Sequence, residues 1–276
     1  MPRKDVAFLG PPGTYSELVA RKQFGVRNNF VPLPSIHDVC SFVARDAARV
    51  GIVPIENSSG GAIYEMVDIL LANRPRVFIQ EEISLNVRLA LLGRKDERIK
   101  TLYSHFVPLD HCDAWLKKHL PRVDKESVPS TAMAAQRAWQ QPHAAALGNR
   151  DLAKVWNLDV LQYPIATDEP NITVFLALGG RQRSRPHATK LTLAVQLLNE
   201  PGSLCTFLEC FRDQDVNLSR LLSRPMRGCP QQYIFLVDIQ GNPTDIRVKR
   251  AMTAARKASA KLRIVGAYPS GKLYNS

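Results

Sequence analysis

Short apolar runs alternate with helical patterns in the first part of the chain. Residues 6–9 and 50–55 are such runs, and each is followed by a polar turn and then by helical periodicity, at residues 16–24 and 62–72. A short apolar run bounded by turn residues is typical of a strand. Strands separated by helices indicate an α/β fold with a largely parallel sheet.

Two polar turns come directly after these strands. The first reads Gly-Pro-Pro-Gly-Thr-Tyr-Ser at residues 10–16, and the second reads Glu-Asn-Ser-Ser-Gly-Gly at residues 56–61. Neither turn is a GxGxxG or a Walker A loop, because no Gly-Lys-Ser/Thr sequence follows. Ligands of parallel α/β sheets gather at the carboxyl ends of the strands, so we expect both turns to border a binding site.

The middle of the chain mixes extended and helical signals. Alternating polar and apolar residues at 77–92 predict extended structure, and residues 109–119 have the periodicity of one helix. Ser130 is a suitable N-cap for an Ala-rich helix that ends near Trp139. A short strand is predicted at residues 101–103, and residues 144–147 are either a strand or the start of the next element. The chain then returns through residues 161–165.

The pattern changes after an Arg-rich segment at residues 179–185. From residue 190 onward the chain predicts strand, helix, strand, strand, helix and strand, with the helices at residues 201–211 and 245–260. This βαββαβ order is that of a compact, ferredoxin-like α+β unit.

Composition narrows the class of protein. A chain of 276 residues with 45% apolar residues can bury the core of one large or two smaller domains. Five cysteines without paired spacing argue against a disulfide framework and against a zinc site. The charged N-terminal segment leads directly into a strand, and no apolar run is long enough to span a membrane. We therefore expect a cytoplasmic protein without a membrane partner.

The net charge of +12 raises the question of nucleic-acid binding. The basic residues are scattered, however, and their runs are as short as those at 94–95 and 117–118. No zinc finger, basic-region helix or aromatic RNA-binding signature accompanies them. We expect a solvated basic surface, no nucleic-acid partner, and attraction of an acidic small molecule.

Five stretches, in order along the chain, resemble the prephenate dehydratase family. They lie at residues 8–16, 54–58, 104–105, 130–132 and 171–175. The last reads Asn-Ile-Thr-Val-Phe and corresponds to the family signature Asn-x-Thr-Arg-Phe. Each stretch is common by itself, but the ordered set is specific. The C-terminal part is similar to an ACT domain.

The resemblance implies a two-lobed catalytic region, similar to periplasmic binding proteins, followed by an ACT domain of the ferredoxin-like α+β type. The expected ranges are 1–180 for the catalytic region, 1–78 with 160–180 for lobe 1, 79–159 for lobe 2, 181–188 for a linker and 189–276 for the ACT domain. It also implies a homodimer or homotetramer and no metal or organic cofactor.

The implied reaction converts prephenate to phenylpyruvate, carbon dioxide and water in phenylalanine biosynthesis. Prephenate is a small dicarboxylate whose hydroxyl leaves, so a site needs donors for two carboxylates and a group that assists the hydroxyl. Thr173 matches the family threonine implicated in that assistance, although a threonine is also an ordinary strand residue. The expected substrate-binding residues, most of which also suit turn capping, are Thr14, Ser16, Asn57, Ser58, Ser104, His105, Asn171 and Phe175.

Val174 departs from the signature, because the family has arginine there. An arginine would pair bidentately with a carboxylate, and valine has no donor. A lost charged contact costs roughly 1.5–3 kcal/mol if nothing replaces it. Three outcomes stay open: a dehydratase with a substitute cation, which we expect, a non-aromatising prephenate decarboxylase, or a catalytically silent amino-acid-binding regulatory protein. Glu56 would repel a dianion and is interpreted as an orienting or structural acceptor.

The ACT-like part implies phenylalanine as an effector. A helix that begins near residue 202 suits an amino-acid ligand at its N-terminus, although ordinary capping gives the same sequence. Leu222 stands where the family motif Glu-Ser-Arg-Pro has glutamate, which places sensing of phenylalanine in question. The expected effector-binding residues are Gly202, Ser203, Leu204, Asn217, Leu218, Ser223, Arg224 and Pro225.

Overall fold

The computed structural model describes residues 3–72, 76–166, 168–182, 186–226, 228–229 and 231–276, and their strands form a seven-stranded, a five-stranded and a four-stranded sheet. Residues 183–185 of the expected linker lie outside the described residues. The first lobe comprises β1 (Asp5–Leu9), α1 (Tyr15–Phe24), β2 (Asn29–Leu33), α2 (Ile36–Ala44), β3 (Val50–Asn57), β4 (Gly61–Ala62), α3 (Tyr64–Leu71) and β5 (Phe78–Asn86).

The second lobe follows β5 and is built on the five-stranded sheet. It comprises β6 (Leu89–Gly93), β7 (Thr101–Ser104), α4 (Phe106–His111), α5 (Asp113–His119), β8 (Asp124–Ser127), α6 (Thr131–Gln140), β9 (Ala144–Gly148), α7 (Leu152–Val155) and β10 (Asp159–Ile165). The single helix expected at 109–119 is therefore two helices, since the backbone of Cys112 leaves the helical conformation at φ −94° and ψ 6°.

The chain then returns to the first sheet as β11 (Ile172–Gly179) and continues into the C-terminal unit, which we define as residues 186–270. This unit has the predicted βαββαβ order. Its elements are β12 (Lys190–Gln196), α8 (Ser203–Arg212), β13 (Leu218–Pro225), β14 (Tyr233–Gln240), α9 (Ile246–Lys257) and β15 (Lys261–Tyr268), and a last strand, β16 (Lys272–Asn275), follows them.

The first sheet has the strand order β16-β5-β11-β3-β1-β2, with β4 paired to β3. Strand β1 runs parallel to β3, as predicted, and also to β2. The sheet as a whole is mixed, because β11 runs antiparallel to both β3 and β5. The α/β class is confirmed, but the expectation of a largely parallel sheet holds for the pairings of β1 with β2 and β3 and of β16 with β5, and not for those of β11. Strand β11 differs because it enters from the second lobe in the opposite direction.

The chain crosses between the lobes at residues 87–88 and again between the end of β10 and the start of β11. The expected lobe boundaries, at 78/79 and 159/160, are therefore displaced, since β5 belongs to the first sheet and β10 to the second. The physical reason is that residues 77–92 form one extended stretch. Polar and apolar residues alternate without a break across residues 87–88, so the sequence pattern does not show where β5 of the first sheet ends and β6 of the second begins.

The two faces of the first sheet have different neighbours. One face, with Val53 and Leu176, packs against α2, α3 and the C-terminal sheet. The other face, with Ile52 and Phe175, packs against α1 and the second lobe. Adjacent residues of β11 and of β3 therefore point in opposite directions, as the period of two in a strand requires.

The C-terminal sheet is antiparallel, in the order β13-β14-β12-β15. Helices α8 and α9 cover one face through Phe207, Phe211 and Val248, and the first lobe covers the other. The two sheets lie so close that a Cβ on Gly266 would be 2.9 Å from the carbonyl oxygen of Ile79. Among the described residues, no helix is long and apolar enough to cross a membrane.

Candidate functional site

Asn57 and Thr173 face each other where β3 and β11 pair. The Asn57 Nδ2 group donates to Thr173 Oγ1 and to Asn171 Oδ1, both at 2.8 Å. The Asn57 Oδ1 atom accepts the backbone N–H groups of Ser59 and Gly60, at 2.9 and 2.8 Å. This hydrogen bond fixes which side of the Thr173 hydroxyl accepts. Because its oxygen accepts a hydrogen bond from Asn57, its own hydroxyl hydrogen points away from Asn57 and is available to a ligand.

Ser58 fastens the end of β3 to the start of β11. Its backbone N–H donates to Ile172 O at 2.8 Å, and its Oγ donates to Pro170 O at 3.1 Å. The same Oγ accepts the backbone N–H of Ile172 at 3.0 Å. The Ser58 hydroxyl is therefore occupied by the strand junction that holds Thr173 in place. We call Asn57, Ser58, Asn171 and Thr173 the Asn57–Thr173 group.

The first polar turn lies at the same sheet edge, since β1 and β3 are parallel. Thr14 precedes α1, and its Oγ1 donates to Leu9 O at 2.9 Å. Ser16 is buried in the first turn of that helix. Gly13 has a φ of 87°, and a Cβ there would lie 2.3 Å from Cδ2 of Leu152 in α7. The first turn therefore contacts the second lobe directly.

The second lobe approaches the second polar turn through α4. Nδ1 of His111 lies 3.1 Å from Ser59 Oγ, and a Cβ on Gly60 would lie 2.9 Å from Val107. Neither Ser59 nor His111 was among the expected site residues, because their contact joins segments 52 residues apart. A surface depression of about 380 Å³ opens beside this contact, lined by Ser59, Phe106, Val107, Leu109, Asp110, Asp113 and Lys125.

Ser104 and His105 lie at the end of β7, on the second-lobe side. Ser104 is fully buried, with 0% exposure, and its hydroxyl donates to Leu147 O at 3.1 Å. His105 caps α4 by accepting the N–H of Val107 at Nδ1, at 3.4 Å, and burial lowers the pKa of its imidazole. Both side chains thus have structural partners in this conformation, and their contact with substrate stays a prediction.

Phe175 and Val174 lie on opposite faces of β11. Phe175 is 2% exposed and packs in the core between the first sheet and the second lobe. Val174 pairs with Glu56 on one side and Ser84 on the other, and it packs against the core that faces the C-terminal unit. The expectation that position 174 faces a substrate carboxylate beside Thr173 is wrong, because adjacent strand residues point to opposite faces.

Glu56 has a cationic partner from the C-terminal unit. Arg220 of β13 places Nε 3.0 Å and Nη2 2.9 Å from Glu56 Oε2, so Glu56 is the structural acceptor that its sequence context indicated. Arg220 also contacts Glu82 at 3.5 Å, and it forms an ion pair with the fully buried Asp238. Burial opposes the charged form of Arg220, but Asp238 and Glu82 raise its pKa above the ordinary value.

The expected effector-binding residues separate into two groups within one chain. Gly202, at φ 84°, precedes α8, and the end of β12 lies at the same end of the sheet as residues 223–225. Leu218 is five residues from Ser223 along β13, a distance of about 17 Å at roughly 3.3 Å per residue. Asn217 and Leu218 therefore lie far from the others, which are Gly202, Ser203, Leu204, Ser223, Arg224 and Pro225.

Arg224 is directed toward the first lobe. Its Nε and Nη2 atoms lie 2.7 and 3.0 Å from the two carboxylate oxygens of Asp68, and its guanidinium lies 4.6 Å from the centroid of the Tyr64 ring. In this conformation Arg224 holds the C-terminal unit against α3. Within the described part of the chain, no group of three or more His, Cys, Asp or Glu side chains is arranged to hold a metal ion.

Comparison with known proteins gives one consistent family. The prephenate dehydratase family model matches residues 6–183. The bifunctional chorismate mutase/prephenate dehydratase of Aquifex aeolicus (strain VF5) is 32% identical over 270 residues, covering 97% of this chain and 74% of the relative. Prephenate dehydratase from Arthrobacter aurescens, solved in complex with L-Phe, has a TM-score of 0.85 at 28% identity, covering 96% of this chain and 89% of that one. The quorum-quenching acylase GqqA has a TM-score of 0.85 at 24% identity, covering 97% and 98%, which shows a shared fold alone.

Proposed function

Because the chain belongs to the prephenate dehydratase family, we propose that it is a lyase converting prephenate to phenylpyruvate, carbon dioxide and water in phenylalanine biosynthesis. The observation that carries the proposal is the hydrogen bond from Asn57 to Thr173, which leaves the Thr173 hydroxyl as a donor. Both residues lie within the range that matches the family model.

The reaction requires two bonds of prephenate to break together. The electron pair of the bond to the ring carboxylate moves into the ring as carbon dioxide departs, and the bond to the ring hydroxyl breaks. One proton, supplied by solvent, turns the departing hydroxide into water. Thr173 is too weak an acid to be the net proton source. Its hydrogen bond instead strengthens as negative charge develops on the leaving oxygen.

The magnitude of this contribution follows from the charge on the acceptor. A hydrogen bond to a charged oxygen contributes roughly 1.5–3 kcal/mol, which corresponds to about one to two powers of ten in rate. Aromatisation supplies the driving force, so holding the substrate in the cleft accounts for much of the remaining acceleration.

The proposed substrate contacts come from both lobes. Thr14 and Ser16 lie on the first turn, where the N-terminal end of α1 favours a carboxylate. Asn57 and Asn171 position Thr173. The buried or internally bonded residues Ser58, Ser104 and Phe175 would act by fixing the backbone around the cleft.

Product analysis tests the proposal against its alternatives. The purified chain is incubated with prephenate near neutral pH, and the products are resolved by chromatography and by the absorbance of phenylpyruvate. We expect phenylpyruvate and carbon dioxide in equal amounts. Carbon dioxide with the ring hydroxyl retained would indicate the non-aromatising decarboxylase. Binding of prephenate without any product would indicate the silent regulatory protein.

The proposal extends to regulation and assembly. Phenylalanine is the proposed effector of the C-terminal unit, supported by the L-Phe complex of the Arthrobacter enzyme. The proposed division is a catalytic region at 1–180, a linker at 181–188 and an ACT domain at 189–276, acting in the cytoplasm as a homodimer or homotetramer. Calorimetric titration with L-Phe tests the effector, since a chain that binds no aromatic amino acid would not be regulated in this way.

A further inference from the structure

Two neighbouring residues of β3 serve opposite faces of the first sheet. Asn57 points to the cleft, where it holds Thr173, and Glu56 points to the C-terminal unit, where it meets Arg220. Because the two residues are adjacent in one strand, a displacement of the Glu56 side chain and backbone displaces Asn57 as well. The ionic contact on one face is thus mechanically joined to the hydrogen bond on the other.

The charges around Arg220 make its position specific. Among the described residues, three carboxylates (Glu56, Glu82 and Asp238) face two cations, Arg220 and Lys190, and Lys190 pairs with Glu82. The Arg220 side chain is 8% exposed, so its contacts are shielded from solvent. Glu56 is the outermost carboxylate, with a side chain that is 44% exposed, and Arg220 is its ion-pair partner in the described part of the chain.

Val174 supplies no cation to Glu56 from within the first sheet. It pairs directly across from Glu56, and side chains opposite each other in an antiparallel pair have Cβ atoms roughly 4.5–5.5 Å apart. An arginine at position 174 would therefore reach Glu56 from the same sheet. Valine offers no charge, and the guanidinium of Arg220 occupies the place beside Glu56 instead.

We propose that Arg220 is a positioning residue for the reaction, holding Glu56 from the C-terminal unit so that Asn57 keeps Thr173 in its donating orientation. The proposal rests on the proposed function for its kinetic consequence, but its structural consequence can be measured without turnover. Arg220 takes the place of the arginine that the signature has at position 174. Strands β3 and β11 therefore have the Arg220 contact that positions Asn57 and Thr173 only when the C-terminal unit is docked on the first lobe.

The test compares substitutions at the contact with one at a second contact between the same two units. Arg220→Met and Glu56→Gln break the contact from either side, and Arg220→Lys keeps the charge. Asp68→Asn is the matched control, because it weakens the pair with Arg224, which also docks the C-terminal unit but is made to α3 and not to a residue of β3 or β11. We expect Arg220→Met to lower kcat by roughly tenfold to a hundredfold while KM changes by less than about threefold. Asp68→Asn is expected to leave kcat within about twofold of the parent value.

Two further comparisons separate positioning from mere destabilisation. The double variant Arg220→Met/Glu56→Gln is expected to lose no more activity than Arg220→Met alone, since both act through one contact. Adding Val174→Arg to Arg220→Met is expected to recover at least about threefold in kcat, because the new guanidinium lies beside Glu56. Additive losses in the double variant, or equal losses in Asp68→Asn, would overturn the proposal.

Hydrogen exchange provides the readout that does not depend on activity. The N–H groups of Ser59 and Gly60 donate to Asn57 Oδ1 and report its orientation. We expect their exchange to accelerate by about tenfold in Arg220→Met and Glu56→Gln, but not in Asp68→Asn. Unchanged exchange in Glu56→Gln, which folds without burying an unpaired charge, would refute the positioning role. An inactive parent with accelerated exchange would instead refute the proposed function alone.

Discussion

Replacement of Asn57 by aspartate tests the hydrogen-bond direction on which the site depends. Asparagine donates twice through Nδ2, to Asn171 and to Thr173, and accepts twice through Oδ1, from Ser59 and Gly60. Aspartate has nearly the same shape and keeps the two acceptor contacts. It cannot donate when ionised, so the Thr173 hydroxyl would rotate to donate to the new carboxylate.

Asn57→Asp is expected to lower both the activity and the stability of the protein. Withdrawing the Thr173 donor removes a charged-acceptor hydrogen bond of roughly 1.5–3 kcal/mol from the transition state, and the added negative charge also repels a dianionic substrate. We expect kcat/KM to fall by at least about a hundredfold. The folded state loses two donor contacts, of which the one to Asn171 leaves two acceptor oxygens facing each other, at a cost of about 1–3 kcal/mol in the free energy of unfolding.

The assay is steady-state formation of phenylpyruvate, combined with urea unfolding of the parent, Asn57→Asp and Asn57→Ala. Asn57→Ala is the control for stability, because it removes all four contacts and leaves the backbone N–H groups of Ser59 and Gly60 without their acceptor. It should be less stable than Asn57→Asp while retaining more activity at low temperature. An aspartate variant with activity within about threefold of the parent would refute the donor role assigned to Thr173.

Three other predictions concern other parts of the molecule. Burial lowers the pKa of His105, so the folded state favours its neutral imidazole. The contribution of this group to the free energy of unfolding is fully present above the unfolded-state pKa of 6.5 and is lost as pH falls below it. His105→Asn, which keeps an N-cap acceptor, should flatten this dependence in thermal unfolding below pH 6.5, and an unchanged slope would contradict it. Gly13→Ala should cost more stability and raise KM more than Gly25→Ala; both have φ above 70°, but a Cβ at Gly25 has nothing within 4 Å. Val174→Arg in the parent should not raise kcat, because Arg220 already pairs with Glu56; a gain of tenfold or more, about 1.4 kcal/mol, would contradict the face assigned to residue 174.

Most elements follow from the sequence because their signals are local. Apolar runs predicted β1 and β3. The N-caps are equally local, since Ser35 accepts the N–H of Asp38 and Ser130 accepts the N–H of Met133. Strand β8 gave no such signal, since residues 124–127 are all exposed and polar and pair with β7 along a sheet edge. Strand β16 was missed because its partner strand, β5, lies 189 residues earlier in the chain (Lys272 pairs with Ile83).

The same distinction applies to the site: features that depend on neighbouring residues could be predicted from the sequence, and contacts between distant parts of the chain could not. The contact between Asn57 and Thr173 joins residues 116 apart, and no local pattern predicts it. The family resemblance named both as site residues but did not predict their hydrogen bond. The direction of Val174 was available from the sequence, because a strand containing Thr173 must point the next residue to the other face. No local sequence pattern singled out Arg220, since its role depends on which face of β13 packs against the first lobe.

The donor role of the Thr173 hydroxyl is tested most directly by comparing Thr173→Ser with Thr173→Val in single-turnover conversion of prephenate. Serine keeps the hydroxyl that accepts from Asn57 and donates to the substrate, whereas valine keeps the shape and removes the hydroxyl. We expect the serine variant to retain at least about a tenth of the parental single-turnover rate. The rate of the valine variant should fall by roughly ten- to more than a hundredfold, with phenylpyruvate as the product in each case. A valine variant as fast as the serine variant would contradict the donor role.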